Sequence, residues 1–340
     1  MENQNSKIKI AFIGYGYWGP NLARNFFQLP EVEISYICDQ NHEKLAHLNR
    51  IYPAAKLATD YQEVLDDPET KAVCIATPLS THFKIAKAAL LAQKDVLIEK
   101  PMVENSKEAK ELIDLAKEKG RILMVDHTFI YSGAVQKIKD LLDKDELGKL
   151  YYYDSERINL GLIRSDANVI SDLAVHDLSI IDYLFSQKPL AVSALSFNHI
   201  SQNQSETASI NIRHENDFIS FVRVSWLSPL KIRKTIIGAS KKMVLYNDVE
   251  SDEKIRIYDK GIDVNPSQVT PFAPLYRSGD IVIPKIDQTE TLKKAAQHFV
   301  DCVNLRKQPL SNGEAGLRVA KLLEAISESV KEKGREILIS

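Results

Sequence analysis

The glycines of Gly14-Tyr15-Gly16-Tyr17-Trp18-Gly19 stand between an apolar run, Ile8-Lys9-Ile10-Ala11-Phe12-Ile13, and a stretch with helical patterning. A strand-to-helix turn of this kind brings main-chain N–H groups and the positive end of a helix up to phosphate oxygens. Gly14 permits the tight turn, Gly16 lets the backbone approach a pyrophosphate, and Gly19 allows close packing of helix on strand. Asp39 follows Gly19 by twenty residues, at the end of the next apolar run. A carboxylate there accepts hydrogen bonds from ribose hydroxyls and repels a 2′-phosphate. The following Gln40 and Asn41 bring no arginine to neutralise one, so NAD is expected rather than NADP. The plainer reading is that the glycines only make a turn and Asp39 caps the helix from Asn41. The agreement of strand, spacing, helix and acid favours the dinucleotide.

Ligands of open α/β sheets lie beyond the carboxyl ends of the strands, so the residues closing each apolar run carry the next chemistry. They are Thr77-Pro78, Glu99-Lys100-Pro101 and Asp126-His127. Lys100 precedes a proline, which biases it toward extended backbone; it can project into a crevice or be a solvated charge. His127 can contact cofactor or substrate, or be a satisfied histidine at a strand end. Further on, Asp172, His176, Ser179 and Tyr183 share one face of a helical pattern, with Ala174, Leu178, Ile181 and Phe185 opposite. The polar face could address a crevice or simply water.

The elements that must position these groups follow from periodicity. Short β-branched runs at 8–13, 33–38, 72–76, 95–98 and 122–125 alternate with helices starting near Gly19, Asn41, Ser80 and Ser106. That alternation predicts a parallel, doubly wound sheet over residues 1–127. Beyond it, a helix at 134–142, a strand at 150–159 and a helix at 170–185 lead into successive alternating runs, such as Phe218-Ile219-Ser220-Phe221-Val222-Arg223-Val224. Residues 128–340 are therefore expected to form a second α/β domain with a large, mostly antiparallel sheet. Two closing helices, at 288–305 and 313–333, could pack back on the first domain. The proline-bearing segment 260–286 reads as the longest loop.

Composition excludes several classes. The 340 residues carry 44% apolar and 26% charged side chains and a formal charge of -2, with no basic tract that would attract nucleic acid. No run approaches the ~18 apolar residues of a membrane span, and the polar N-terminus lacks a signal-peptide core, so a cytoplasmic location is expected. Cys38, Cys74 and Cys302 are odd in number and widely spaced, which fits buried reduced thiols. No cluster has metal-ligand spacing, and no metal is expected.

The glycine motif, Ala76-Thr77-Pro78 with His82, Glu99-Lys100-Pro101, Asp172 with His176, and Pro309-Leu310-Ser311-Asn312-Gly313-Glu314 together resemble the glucose-fructose oxidoreductase, inositol dehydrogenase and MocA-like family over nearly the whole chain. The resemblance implies a Rossmann domain, a second domain whose open sheet supports homodimers or homotetramers, and hydride transfer between a nicotinamide and a sugar or polyol carbon. It implies a catalytic set of Lys100, Asp172 and His176. In that reading neutral His176 is the general base, Lys100 stabilises the developing alkoxide and Asp172 orients His176 or a neighbouring hydroxyl. Gly14, Gly16, Tyr17, Trp18, Gly19, Asp39, Thr77, Pro78, His82, Glu99, Lys100 and His127 are the expected cofactor contacts.

The segment 125–134 departs from the family pattern Gly-His-x-x-Arg-Phe-x-Pro-Ala. Asp126 stands for the glycine, Ile130 for the arginine and Gly133 for the proline. These replacements, and the chain's likeness to nucleotide-sugar 3-dehydrogenases, imply a substrate such as UDP-N-acetylglucosamine or its uronic acid rather than free inositol or aldose. Tyr131, Arg157, Asn159, Arg164, Asn168 and Arg233 are the expected substrate contacts beside the catalytic three, with Lys231 near them; arginine forks suit diphosphate or carboxylate. Each of these cations could equally be an ordinary surface charge. A reading of another class, a non-catalytic NAD-binding regulatory subunit, is opposed by the intact lysine, aspartate and histidine.

Overall fold

A computed structural model describes residues 7–161, 163, 167–202, 204–263 and 275–339. The chain divides into two compact units, one of residues 1–131 with 289–321, the other of 132–288 with 322–340.

The first unit holds six parallel strands: β1 (Ile8–Ile13), β2 (Val32–Cys38), β3 (Lys56–Ala58), β4 (Ala72–Ile75), β5 (Asp95–Ile98) and β6 (Leu123–Val125). Their order is β3-β2-β1-β4-β5-β6, which reverses direction between β1 and β4. That reversal opens a crevice at the carboxyl ends of those two strands, the switch point where such sheets bind ligands. The strands are mostly apolar because helices cover both faces; every residue of β4 and β5 is buried. The crossovers are α1 (Gly19–Phe27), α2 (His42–Leu45), α3 (Tyr61–Asp66), α4 (Leu79–Leu91) and α5 (Ser106–Lys119).

Local chemistry sets their ends. Asn105 caps α5 by accepting from the Glu108 amide, and Gly120 closes it at φ +61°, in the left-handed region that favours glycine. Between these caps Ala109, Leu112, Ile113 and Ala116 repeat at helical spacing and are the buried face. The three-residue β3 and the short α3 were not foreseen from periodicity, being too short to show one.

Of the closing helices, α8 (Thr291–Leu305) belongs to the first unit. Phe299 meets Phe26 of α1 edge to face with ring centres 6.1 Å apart, and Arg306 pairs with Asp95 at 2.7 Å. The first unit thus takes in α8, whose Phe299 is buried against α1.

The second unit contains α6 (Gly133–Asp143), β7 (Leu150–Leu160), α7 (Val175–Leu184), β8 (Pro189–Phe197), β9 (Thr207–His214), β10 (Ile219–Ser225), β11 (Leu227–Ala239), β12 (Met243–Asn247), β13 (Ile255–Asp263) and β14 (Leu275–Val282). The long α9 (Gly313–Lys331) ends in it, and β15 (Ile337–Leu338) completes the sheet. Nine strands run in the order β14-β13-β12-β11-β7-β10-β9-β8-β15. The sheet is mixed: β10 pairs with β7 in parallel, and the other pairings are antiparallel.

Two expectations change here. The segment 260–286 is not one loop, since β13 runs to Asp263 and β14 returns from Leu275, joined by an Arg277–Asp259 ion pair at 2.9 Å. The helix expected at 170–185 begins instead as a π-helical turn, Ile170–Ala174, before α7. Inserted turns of this type recur at functional sites.

Candidate active site

The crevice end of the first unit is built around the glycine turn. Gly14 has φ +95°, and a Cβ there would stand 2.6 Å from the main-chain carbonyl of Ala76, at the end of β4. A Cβ on Gly19 would come within 2.2 Å of the Gly14 carbonyl oxygen, so this glycine closes the turn upon itself. A Cβ on Gly16 would meet nothing within 4 Å. Gly14 and Gly19 are therefore required by the protein's own backbone, whereas Gly16 leaves open the space a pyrophosphate would fill. Among the described residues no side chain caps α1; Pro20 has no N–H to offer, and the Asn21 and Leu22 amides bond the Trp18 carbonyl at 2.9 and 3.1 Å.

Asp39 is held by two main-chain amides, from Tyr15 at 2.8 Å and Asn41 at 2.9 Å, with Lys44 at 3.3 Å. The bond from Tyr15 ties the glycine turn to the end of β2. The helix cap that Asp39 might have supplied belongs to Asn41, which accepts from Glu43. Tyr17 and Trp18 are exposed at the turn, stacked edge to face.

Farther along the sheet edge, Thr77 accepts from the Thr81 hydroxyl at 2.7 Å, and Pro78 begins α4. His82, expected to contact cofactor, is otherwise engaged. Its Nε2 lies 2.9 Å from the Thr77 carbonyl, and its Nδ1 3.0 Å from that of Pro101. Burial lowers its pKa, and the neutral ring that this favours can donate to only one of those two carbonyl oxygens.

His127 is the opposite case. It is 2% exposed, and neither ring nitrogen has a hydrogen-bond partner among the described residues. Burial and the nearby Lys100 charge push its pKa down to about 3, so the ring is neutral with one donor and one acceptor unmet. A buried polar group left so costs about 1–3 kcal/mol, which a ligand at the crevice would recover. The open space at Gly16, the clamped Asp39 and the unmet His127 fit a dinucleotide.

Glu99 and Asp126 are both buried beside half-buried Lys100. The Lys100–Pro101 peptide is cis. Tyr131, an expected substrate contact, is buried, and its hydroxyl bonds Ser311 at 2.9 Å, so it packs α9's leading turn rather than facing ligand.

In the second unit Asp172 lies on the π-helical turn and accepts from the indole of buried Trp226 at 3.3 Å. His176 is half-buried in the first turn of α7. The apolar face read from sequence is buried, but Ser179 on the supposed polar face is buried too, donating to the His176 carbonyl at 2.7 Å.

Several expected substrate contacts are spent within the protein. Arg157 is 3% exposed and donates to Asp177 through Nε at 2.8 Å and Nη2 at 3.3 Å, a core ion pair rather than an anion site. Arg233 pairs with Asp248 at 3.3 Å. Asn168 caps the π-helical turn, its Oδ1 accepting from Ile170 and Ser171. Asn159 is half-buried on β7, Lys231 is exposed, and Arg164 lies outside the described residues.

Sequence reasoning missed Asp177, Trp226 and Thr128. For Asp177 a signal existed: with Ala174, Leu178 and Ile181 it shares the apolar face, where a carboxylate requires a buried partner.

Among the described residues no group of histidine, cysteine and carboxylate could hold a metal, no helix is long and apolar enough to cross a membrane, and all three cysteines are buried and outside any disulfide.

Residues 8–127 match the model of an oxidoreductase family with an NAD-binding Rossmann fold, and 135–244 match the GFO/IDH/MocA C-terminal domain. The chain is 26% identical to UDP-N-acetylglucosamine 3-dehydrogenase of Acidithiobacillus ferrooxidans, over 92% of this chain and 94% of that protein. The solved structure of that enzyme superposes with a TM-score of 0.81 at 23% identity, covering 96% and 98% of the two chains. Identity is also 26% to an NAD-dependent scyllo-inositol 2-dehydrogenase of Bacillus subtilis, over 91% of this chain and 89% of that one. A levoglucosan dehydrogenase solved with NADH and levoglucosan gives a TM-score of 0.84 at 19% identity, covering 98% and 100%. With both characteristic domains present in order and a crevice shaped for the dinucleotide, the chain belongs to the Gfo/Idh/MocA family of NAD-binding oxidoreductases.

Proposed function

We propose that this protein is an NAD-dependent sugar dehydrogenase, moving a hydride between nicotinamide and a carbinol carbon. The observation that carries the reading is the buried His127 ring at the crevice edge near Lys100, whose two nitrogens have no hydrogen-bond partner among the described residues. Bound NAD supplies the hydride acceptor. The chain's part is to bind the substrate hydroxyl and move its proton. His176 takes that proton, Lys100 stabilises the alkoxide as a fixed cation, and Asp172, anchored by Trp226, orients the acceptor.

The substrate we favour is a nucleotide-linked amino sugar of the UDP-N-acetylglucosamine or uronic acid type, oxidised at C3. Full-length likeness to a UDP-N-acetylglucosamine 3-dehydrogenase supports it. A second reading, a free inositol or aldose, is favoured by the engagement of Arg157 and Arg233 with internal carboxylates, which removes two cations from diphosphate recognition.

The test is mass spectrometry of NAD incubations with nucleotide-sugar, inositol and aldose panels. Under the leading reading a nucleotide sugar loses two hydrogens and its unlinked sugar does not react. Lys100→Ala and His176→Ala should each lower kcat by about 10²-fold or more without loss of folding. Unimpaired turnover in both would overturn the roles, and NAD binding with no turnover of any sugar would restore a regulatory subunit.

A further inference from the structure

Two carboxyl groups lie side by side under the crevice. Glu99 ends β5 and Asp126 ends β6, adjacent parallel strands in which Ile98 pairs with Val125. Both side chains are buried, at 8% and 2% exposure, on neighbouring strand ends where the Asp126 amide donates to the Ile98 carbonyl at 2.8 Å. Two carboxyl groups buried side by side require a proton between them, because two carboxylates have only acceptors to offer each other. The surrounding donors show where it resides. Asp126 Oδ1 accepts from the Thr128 hydroxyl at 2.7 Å, while Glu99 Oε2 accepts only a longer bond from the Lys100 amide at 3.2 Å. The better-solvated charge is on Asp126, with Glu99 the acid beside it.

We propose that Glu99 and Asp126 share one proton and so present a single negative charge to Lys100, which makes Asp126 a further positioning residue of the crevice. The inference rests on the role given to Lys100 above. Sequence comparison supplied only the oddity that an aspartate stands where the family pattern has glycine. The structure supplies its partner.

The charged and titratable groups placed against the pair among the described residues are consistent with this state. Lys100 favours ionisation of both carboxyls. His127 is neutral, and Cys74 of β4 and Tyr131 are held as thiol and phenol by burial. Burial drives Glu99 well above the usual carboxylate range and Asp126 up to about 6. Near neutral pH the pair then carries one charge, since two like charges this close in a dry site cannot both ionise. The sign for stability follows. Both folded-state values lie above the unfolded ones, so the folded protein holds protons that the unfolded chain releases above about pH 4, and the pair weighs against folding at pH 7.

Infrared spectroscopy of the protein without substrate tests the proton directly. At pH 7 a protonated-carboxyl band should be present and should vanish in Glu99→Gln and in Asp126→Asn. Absence of the band in the wild type, or its survival in both variants, overturns the proposal whatever the enzyme acts on. The positioning role is read from the combined Glu99→Gln/Asp126→Asn variant, which removes the charge that either single substitution retains. Its kcat should fall about tenfold or more below that of either single, with the substrate KM changed less. Its melting temperature at pH 7 should be no lower than the wild type's. A purely structural pair predicts the reverse, a lower melting temperature with kcat equal to that of the singles, and that result overturns the positioning role. Unimpaired turnover in Lys100→Ala would instead defeat the reading of Lys100 and leave the shared proton standing.

Discussion

At the scale of single residues, the glycine turn separates what the fold needs from what the ligand needs. A side chain at position 14 would sit at φ +95° and 2.6 Å from the Ala76 carbonyl, whereas one at position 16 would enter open space. Gly14→Ala should therefore destabilise the protein, by about 1–3 kcal/mol for the backbone strain alone, and weaken NAD binding as a consequence. Gly16→Val should leave the melting temperature within a degree or two and still weaken NAD binding by about tenfold or more, because it fills the space kept for the pyrophosphate. Thermal melts with and without NADH, and titration of NADH fluorescence, check both. Equal losses of stability in the two variants would contradict the division. The motif's spacing gives the three glycines different expected roles, but not the contacts that enforce them. That Gly14 is pressed against Ala76, a contact between residues more than sixty positions apart, is visible only in the fold.

At the scale of elements, legibility followed period length. The strands β1, β2, β4 and β5 and the long helices were readable because each repeats its pattern often enough to be seen, and the apolar face of α7 was readable for the same reason. Polar groups on buried faces were not, since their partners come from other elements. Arg157 looked like a free anion-binding fork, yet β7 turns it inward against α7, where Asp177 accepts from Arg157, from Ser155 at 2.6 Å and from Tyr153 at 3.4 Å. Asp177 adjoins His176, so this network fixes the helix that carries the proposed base. Removing one partner of a buried pair strands the other: Asp177→Ala should cost about 3–5 kcal/mol, whereas replacing both partners with apolar residues of similar volume, as in Asp177→Leu with Arg157→Met, should cost less. Urea denaturation of the three proteins measures this. A double variant at least as unstable as Asp177→Ala would show that the hydroxyl donors, not the ion pair, hold the helix.

At the scale of the whole molecule, the large sheet has one face turned to helices and one that the described chain leaves uncovered. Phe221 of β10, Asp154 of β7 and Ile236 of β11 lie directly across from one another. Phe221 and Ile236 remain 38% and 39% exposed, with Leu195 and Phe197 of β8 exposed beyond them. An alternating strand ordinarily turns polar residues to water, so apolar residues at the centre of this face need a cover. The association expected from sequence as a homodimer or homotetramer through the second domain's sheet would provide it, because two copies can bury the same patch against itself about a two-fold axis. The outcome we expect is that light scattering coupled to gel filtration gives a mass of at least two chains, and that Phe221→Glu with Ile236→Glu shifts the protein to one chain while far-ultraviolet circular dichroism is unchanged. Burial of a charge opposite its own copy is unfavourable, whereas the same charge on a solvated sheet face costs little. A wild type that runs as one chain at all concentrations would refute this, and an unshifted mass in the double variant would move the interface to another surface.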